Sequence, residues 1–495
     1  MSAQQSWLKD RRAGVLLHIT SLPGAGERGD LGPDAYRFVD FLADAGFSTW
    51  QTLPVGPAKD DLSPYNAQSS FAGHTGLISP QLLREDGLLP ATAKVECNKD
   101  TSRQKLVEHA WHTFQSDASQ DDRSRFEQFL QNHVGWLPDY ALFRVLRRQQ
   151  RSRPWYRWPT ALRRREQGAL DAARSDHEDA LQQEYFGQFL FFDQWSRLSA
   201  YAKRSGIELF GDLPIYVATD SADVWCWRDY FTIADDGHQL AQAGVPPDAF
   251  SDTGQLWGNP LYCWDRMAKD GYSWWIERFR VQSILFSILR IDHFRGFESC
   301  WEVPADAATA EHGHWTPGPA RALFDAVFSA LGPLQLVAED LGSITREVTA
   351  LREVLGFPGM RVLQFAFEGD ADNPHRLEHH TPDTVVYTGT HDNNTTMGWY
   401  NSRSDDDNQR VWDYIGCTRG EGFHWDLIRL ALSTNANQAI FPLQDLLGLG
   451  EEARMNAPSS PQGNWEWRYQ AEDLTDELRD RLRFYTMVYG RGPRN

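Results

Sequence analysis

Residues 288–297, ILRIDHFRGF, open with strand-forming apolar residues and break off at Asp292, where a turn residue would ordinarily stand. A short apolar run ending in a chemically active side chain has the form of a barrel strand, because barrel enzymes carry their working residues at the carboxyl ends of their strands. Counting this run as 288–294, apolar β-rich runs recur at 15–19, 49–55, 208–215, 334–339, 360–367, 384–390 and 439–442. Stretches of helical periodicity separate most of them. Together they predict an α/β fold, a (β/α)8 TIM barrel, with a doubly wound sheet as the second compatible architecture.

A barrel takes about 250 residues, and two long intervals account for much of the remainder. Residues 81–198, after the second run, are rich in Glu, Asp, Arg, Gln and Leu at helical spacing, which predicts a mainly helical insertion. Residues 218–278, after the third, are rich in Trp, Gly and Pro, as expected of ordered loops over a site. No repeat or low-complexity linker divides the chain, so 1–495 reads as one catalytic unit. The basic run 144–165, with Trp155 and Trp158, reads as solvated helix faces, and GNWEWRY at 463–469 as a surface aromatic cluster.

Hydrophobic residues at 41% and charged residues at 24% suit a globular protein with ample core. The formal charge of -19 argues against nucleic acid or an anionic membrane as partner. Five scattered cysteines without metal spacing, and a polar amino-terminal segment without a signal-peptide core, predict reduced thiols in a cytoplasmic protein. The 20 Trp and 16 Tyr are mostly core material, yet aromatic faces also suit the apolar sides of sugar rings.

Three carboxylates lie at or just past run ends: Asp292, Glu339 in LVAEDLG and Asp392 in YTGTHDNNTT. A lone Asp there would read as an ion pair or loop cap; three predict convergence at one barrel mouth. Cleaving an acetal with retention needs a nucleophilic carboxylate and, about 5 Å away, a second carboxyl that protonates the leaving oxygen and then deprotonates the acceptor. A third can grip sugar hydroxyls. Arg290 and Arg295 flank Asp292 and would keep it ionised, while His293 and His391 can donate to hydroxyls.

Metal binding is the weaker reading. Asp292–His293 and His391–Asp392 are adjacent pairs whose side chains point apart on a strand, and the His pairs at 312/314 and 375/379 stand away from the acids. GAGERG at 24–29 matches a dinucleotide turn, but no helix opens after it and the second run lacks the ribose-binding acid. No GxSxG elbow or Walker loop is present. No cofactor and no metal are predicted.

Segments spread along nearly the whole chain resemble the 4-α-glucanotransferases, the amylomaltase or disproportionating-enzyme family. They include GVLLHITSLPG, SPYNAQSSFAG, LFGDLPIYVA, GVPPDAFSDTGQLWGNPLY, RIDHFRGF, AEDLG, LGFPGMRVLQFAF, GTHDNNTT and QDLLGLGEEARMN, in family order. The resemblance implies that Asp292 is the nucleophile, Glu339 the general acid/base and Asp392 the transition-state stabiliser. It also implies that Asp212, Arg290, His293 and His391 line the subsite of the attacked sugar, that Tyr65 and Trp257 are aromatic platforms, and that 244–258 forms a lid. The expected activity is transfer of α-1,4-glucan segments to glucose or glucan acceptors, with maltooligosaccharides and starch- or glycogen-derived chains as substrates.

The chain departs from the family pattern at Ala249, in place of a bulky lid aromatic, at Asn394, in place of Asp, and at His74–Thr75, in place of Asn–Pro. Ala249 bears on lid contacts, and Asn394 on hydrogen bonding behind Asp392. Two other activities fit the residues in principle: an α-glucan hydrolase using the same acids, and a non-catalytic carbohydrate-binding barrel, which would be expected to have lost one of them.

Overall fold

The computed structural model describes residues 6–493 except 25, 27, 91–99, 248–250, 417–419, 459 and 461. Eight parallel strands form its centre: β1 (Arg12–Leu16), β2 (Thr49–Gln51), β3 (Glu208–Leu213), β4 (Ile288–Ile291), β5 (Gln335–Ala338), β6 (Gly359–Val362), β7 (Thr384–Tyr387) and β8 (Gln438–Pro442). Successive strands pair from β1 to β5 and from β6 to β8, and β8 returns to β1 with Arg12 opposite Gln438. Between β5 and β6 the N–H of Ala338 donates to the Pro358 carbonyl at 2.9 Å, so the sheet closes. The fold is a (β/α)8 barrel, and closure excludes the doubly wound sheet, which keeps two free edges.

The strands are mostly shorter than the apolar runs that predict them. Leu17, Ile19 and Leu53 remain buried after the chain has left the ladder, so apolarity outlasts hydrogen bonding. Along β4, Ile288 joins Leu16, Phe210, Val337, Val385 and Ile440 inside the barrel, whereas Leu289 and Ile291 pack into the outer layer between sheet and helices. Side chains alternate along a strand, so Arg290 and then Asp292 share the inward side with Ile288. Asp212 follows Phe210, and Glu339 follows Val337, in the same parity. Apolar residues thus fill the lower barrel, and a polar set crowns its carboxyl end.

Between β2 and β3 the described residues hold seven α-helices, the longest Glu178–Arg204. Its first turn carries Glu178 and Asp179 and its last Lys203 and Arg204, complementing the helix dipole, while Leu181, Phe186, Leu190, Phe191, Trp195 and Leu198 are buried. Two of its amides fasten the segment that follows Tyr65. Gln188 bonds both backbone groups of Gly73 at 2.8 and 2.9 Å, and Gln194 both of Ser79 at 2.7 and 3.2 Å. A Cβ at Gly73 would sit 1.9 Å from the Phe191 ring, so only glycine permits this approach.

The basic run matches the expected solvated faces in part, Arg151, Arg153, Arg157 and Arg164 being exposed, and departs from them elsewhere. Arg147 pairs with Asp220, Arg148 with Glu184 and Arg165 with Asp139, while Trp155 and Trp158 are buried. Arg147 joins the helical layer to the loop after β3, while Arg148 and Arg165 brace the layer internally. After β3, strands Ala241–Val245 and Gln255–Leu256 combine with Ser299–Pro304 and His314–Pro317, which follow β4, in one antiparallel sheet beside the barrel mouth. No described helix is long and apolar enough to cross a membrane.

The carboxyl-terminal segment closes the amino-terminal end of the barrel. Buried Arg491 donates to the carbonyls of Arg12, Leu432, Thr434, Ala436 and Asn437 at 2.7–3.2 Å. Substituting Arg491→Met retains the stem and removes every guanidinium donor: Leu432 and Thr434 keep bonds from Arg11 and Asn437 keeps the Arg12 N–H, but the buried Ala436 carbonyl loses its guanidinium partner. We expect a loss of about 3 kcal/mol, seen as a lower urea midpoint at unchanged slope. An unaltered midpoint would mean that these carbonyls do not depend on Arg491.

Candidate active site

Arg290 stands at the centre of the crown, buried between two carboxylates. Its Nη1 donates to Asp212 Oδ2 at 2.6 Å and lies 2.9 Å from Asp292 Oδ1, while Nε reaches Met360 Sδ at 3.4 Å. Tyr65 Oη donates to the same Asp212 oxygen at 2.7 Å. Burial raises the pKa of Asp212 against the opposing pull of Arg290. For Arg290 burial works against the cation, but Asp212 and Asp292 outweigh it and hold the guanidinium firmly protonated.

Just past β4 the backbone turns at His293 into the left-handed region, φ 50° and ψ 51°, which a non-glycine residue adopts only at some cost. There the His293 N–H donates to Glu339 Oε2 at 2.6 Å, and the Leu341 N–H donates to Oε1 at 3.0 Å. Both oxygens of Glu339 are therefore positioned by backbone, one residue from Asp292. Burial, reinforced by Asp292 and opposed by Arg290, pushes the Glu339 carboxyl up to about 7. Burial lowers the His293 imidazole to about 4, so it is neutral at neutral pH.

Asp392, past β7, has 46% of its side chain exposed to the cleft. His391 Nε2 lies 3.2 Å from one oxygen, Asn456 donates to the other at 2.6 Å, and Arg454 donates to the Asp392 carbonyl at 2.7 Å. Enclosure alone would raise this carboxyl; His391 and the bonds from His391 and Asn456 overcome it and hold the group well below the usual carboxylate range. Burial likewise disfavours the His391 cation, but Asp392 outweighs it and raises the imidazole.

The aromatic residues frame these acids. Tyr65 stacks on His391, with centroids 5.2 Å apart and an interplanar angle of 15°, and Trp257 meets His293 edge-on at 4.7 Å. All the predicted site residues except buried Asp212 line one open cleft of about 1520 Å³, and Asp212 lies directly beneath it, bonded to Arg290 and Tyr65. The segment 244–258 contributes Gly244, Val245, Pro246 and 255–258 to the wall. Ala249 lies outside the described residues.

Several expectations are corrected by these contacts. Arg295 does not pair with Asp292: it donates to the Ser343 carbonyl and stacks on Trp315, because the turn at His293 carries it away from Asp292. The Asn394 Oδ1 accepts from Thr395 N–H at 2.9 Å at the start of helix Thr396–Asn401. His74 accepts from Gly76 N–H in a local cap, with Arg28 at 3.5 Å. The 463–469 cluster is at the surface only in part: Gly463 and Glu466 are exposed, but Trp465 lies 5.9 Å from Tyr65 and 6.0 Å from His391 in the cleft wall, and Tyr469 is buried.

Asn456, Arg454 and Trp465 are contributors that the run-end pattern misses. They come from an irregular segment after β8, where no periodicity marks them, although the aromatic density of GNWEWRY was a visible signal. His375 accepts from Val362 N–H at 3.1 Å, and His379 Nε2 lies 2.8 Å from the Ala371 carbonyl. Among the described residues no cluster of three or more His, Cys, Asp or Glu is arranged to hold a metal.

Residues 17–475 match the family model described as 4-alpha-glucanotransferase. The 4-alpha-glucanotransferase of Synechocystis is 46% identical over 98% of this chain and 99% of its own, and that of Thermus thermophilus 43% over 96% and 97%. Among solved structures, amylomaltase from Streptococcus agalactiae in complex with acarbose superposes with a TM-score of 0.93 at 35% identity, covering 98% of this chain and all of that one. By sequence across nearly its full length and by its barrel, the chain belongs to the 4-alpha-glucanotransferase family, glycoside hydrolase family 77.

Proposed function

We propose that the chain transfers segments of α-1,4-glucan by a retaining double displacement in which Asp292 is the nucleophile, Glu339 the acid/base and Asp392 the transition-state stabiliser. The observation that carries this reading is the Arg290 guanidinium, shared between Asp212 and Asp292 beside a Glu339 carboxyl that favours its proton. A cation thus faces one acid while the neighbouring acid has a raised proton affinity, an arrangement that suits the two roles in retaining glycoside chemistry.

Glu339 donates its proton to the glycosidic oxygen as Asp292 attacks the anomeric carbon; the bond to the leaving chain breaks and a glycosyl-aspartate forms. Covalent bonding removes the negative charge of Asp292, so Glu339 becomes a stronger acid and stays ionised. It then takes the proton of an acceptor hydroxyl as that oxygen displaces Asp292, restoring the α-link. Asp392 accepts from hydroxyls of the distorted ring, with His391 beside it. Arg290 and His293 line the same subsite, Asp212 supports Arg290 from beneath it, and Tyr65 and Trp257 supply faces for sugar rings.

An oriented sugar hydroxyl must outcompete water, and effective molarities of up to about 10^5 M or more make that possible. The acarbose held by the Streptococcus agalactiae neighbour supports a glucan-like ligand for this cleft. We read 81–198 and 218–278 as insertions into a single catalytic unit, the second bearing the lid. The free thiols of Cys226, Cys263 and Cys300 support a cytoplasmic setting.

Incubation with maltotriose should yield glucose together with longer maltooligosaccharides; release of shorter sugars alone would favour the hydrolase. Asp292→Ala should abolish transfer with the fold intact by circular dichroism, and retained turnover would refute its role. Because Glu339 must start protonated, kcat/KM should fall about tenfold per pH unit above about 7; a profile flat to pH 9, with chemistry rate-limiting, would contradict the assignment. Asn456→Ala removes a bond to a charged group, so kcat should drop roughly tenfold or more with KM little changed. Equal loss in thermal stability and none in kcat would make Asn456 structural only.

A further inference from the structure

The eight exposed large hydrophobic side chains among the described residues include only two that line the cleft, Leu256 at 36% and Trp315 at 39% exposure. Both belong to the antiparallel sheet beside the barrel mouth, in its first and last strands. Trp257, directly after the first strand, abuts His293 next to Asp292. Trp315 lies three strands away across the same sheet, roughly 14 Å at the usual strand spacing. The sheet therefore presents aromatic surface both at the reacting centre and well beyond it.

Trp315 is held in place on several sides. The Arg295 guanidinium sits 3.8 Å over its ring, and Trp301 packs against it at 5.1 Å and 64°, its own indole N–H donating to the Ala310 carbonyl at 2.8 Å. Arg295 in turn donates to the Ser343 carbonyl. Ser343 belongs to the loop whose Leu341 N–H positions Glu339, and Leu341, Gly342 and Ser343 all line the cleft. Trp315 is thus joined to the loop of Glu339. A group that protonates the leaving oxygen faces the leaving chain, and the acceptor later enters from that same side.

An apolar ring left exposed in water inside a polar cleft, and immobilised by a cation and a second indole, is suited to stacking on a sugar ring with little entropy lost on binding. We propose that Trp315 is an acceptor-side platform that contacts sugar rings beyond the one being joined and thereby sets the preference for longer acceptors; this rests on the reading of Glu339 as acid/base. A single glucose acceptor, held at the reacting centre near Trp257, does not extend to Trp315. A maltotetraose acceptor does.

The experiment measures transfer from a fixed maltohexaose donor to isotope-labelled glucose, maltose, maltotriose and maltotetraose. Effects on the donor step cancel in the ratio of kcat/KM between acceptors. Trp315→Ala should reduce the preference for maltotetraose over glucose roughly tenfold, through KM, and Trp315→Phe should restore most of it. An unchanged ratio, or an equal fall in kcat for every acceptor, would overturn the platform and leave Trp315 a support for Arg295. A parent enzyme that releases only shorter sugars would overturn the transferase reading and the platform with it. Parent transfer with an unaltered variant ratio sinks the platform alone.

Discussion

A guanidinium buried in the mouth of a barrel must be neutralised, because an unpaired charge there costs several kcal/mol. Arg290 meets that constraint with two carboxylates at once, and the rest of the site is arranged around the consequence. Asp212 lies wholly beneath the cleft and cannot meet a substrate carbon without rearrangement; Asp292 shares the same cation but stays open to the cleft. Tyr65 adds its hydroxyl to Asp212, which ties an aromatic wall of the cleft to the charge network under it. Removing the cation would leave adjacent carboxylates facing one another in a desolvated space, where one of them would hold a proton.

The contrast between Glu339 and Asp392 follows from the same physics with different neighbours. Glu339 accepts two backbone N–H bonds yet keeps a high proton affinity, since burial and the charge of Asp292 outweigh them. Asp392 is open to the cleft and is bonded by His391 and Asn456, so its ionised form is favoured. Neither acid could take the other's part without exchange of its surroundings. The barrel provides the points of attachment, while loops after β4, β5, β7 and β8 provide the environments.

The segments after β2 and β3 also border the cleft and need support. The helix Glu178–Arg204 holds the segment after Tyr65 through Gln188 and Gln194, Arg147 ties the helical layer to the loop at Asp220, and Arg148 and Arg165 brace that layer through Glu184 and Asp139. Polar residues that look like solvent-exposed charge in the sequence are structural cross-links in the fold. Charge runs carry no sign of which partner waits across the chain, and here the partners of Arg147 and Arg148 lie 73 and 36 residues away.

Much of the architecture and the three acids was legible in the sequence for a local reason. Strand parity is a short-range property, so ILRID alone places Arg290 and Asp292 on the side of Ile288, and repetition of such runs implies a barrel with its chemistry at one end. Family resemblance added Tyr65, Asp212 and Trp257. Long-range pairing remained hidden: nothing near Asp392 announces Asn456, 64 residues on, and Arg295 sits beside Arg290 in sequence yet bonds a different loop. The sequence by itself determined which side chains reach the barrel mouth, through alternation along each strand. The tertiary structure decided which of them are buried together, and so which acid holds a proton and which does not, because desolvation and charge pairing depend on neighbours that only folding brings near.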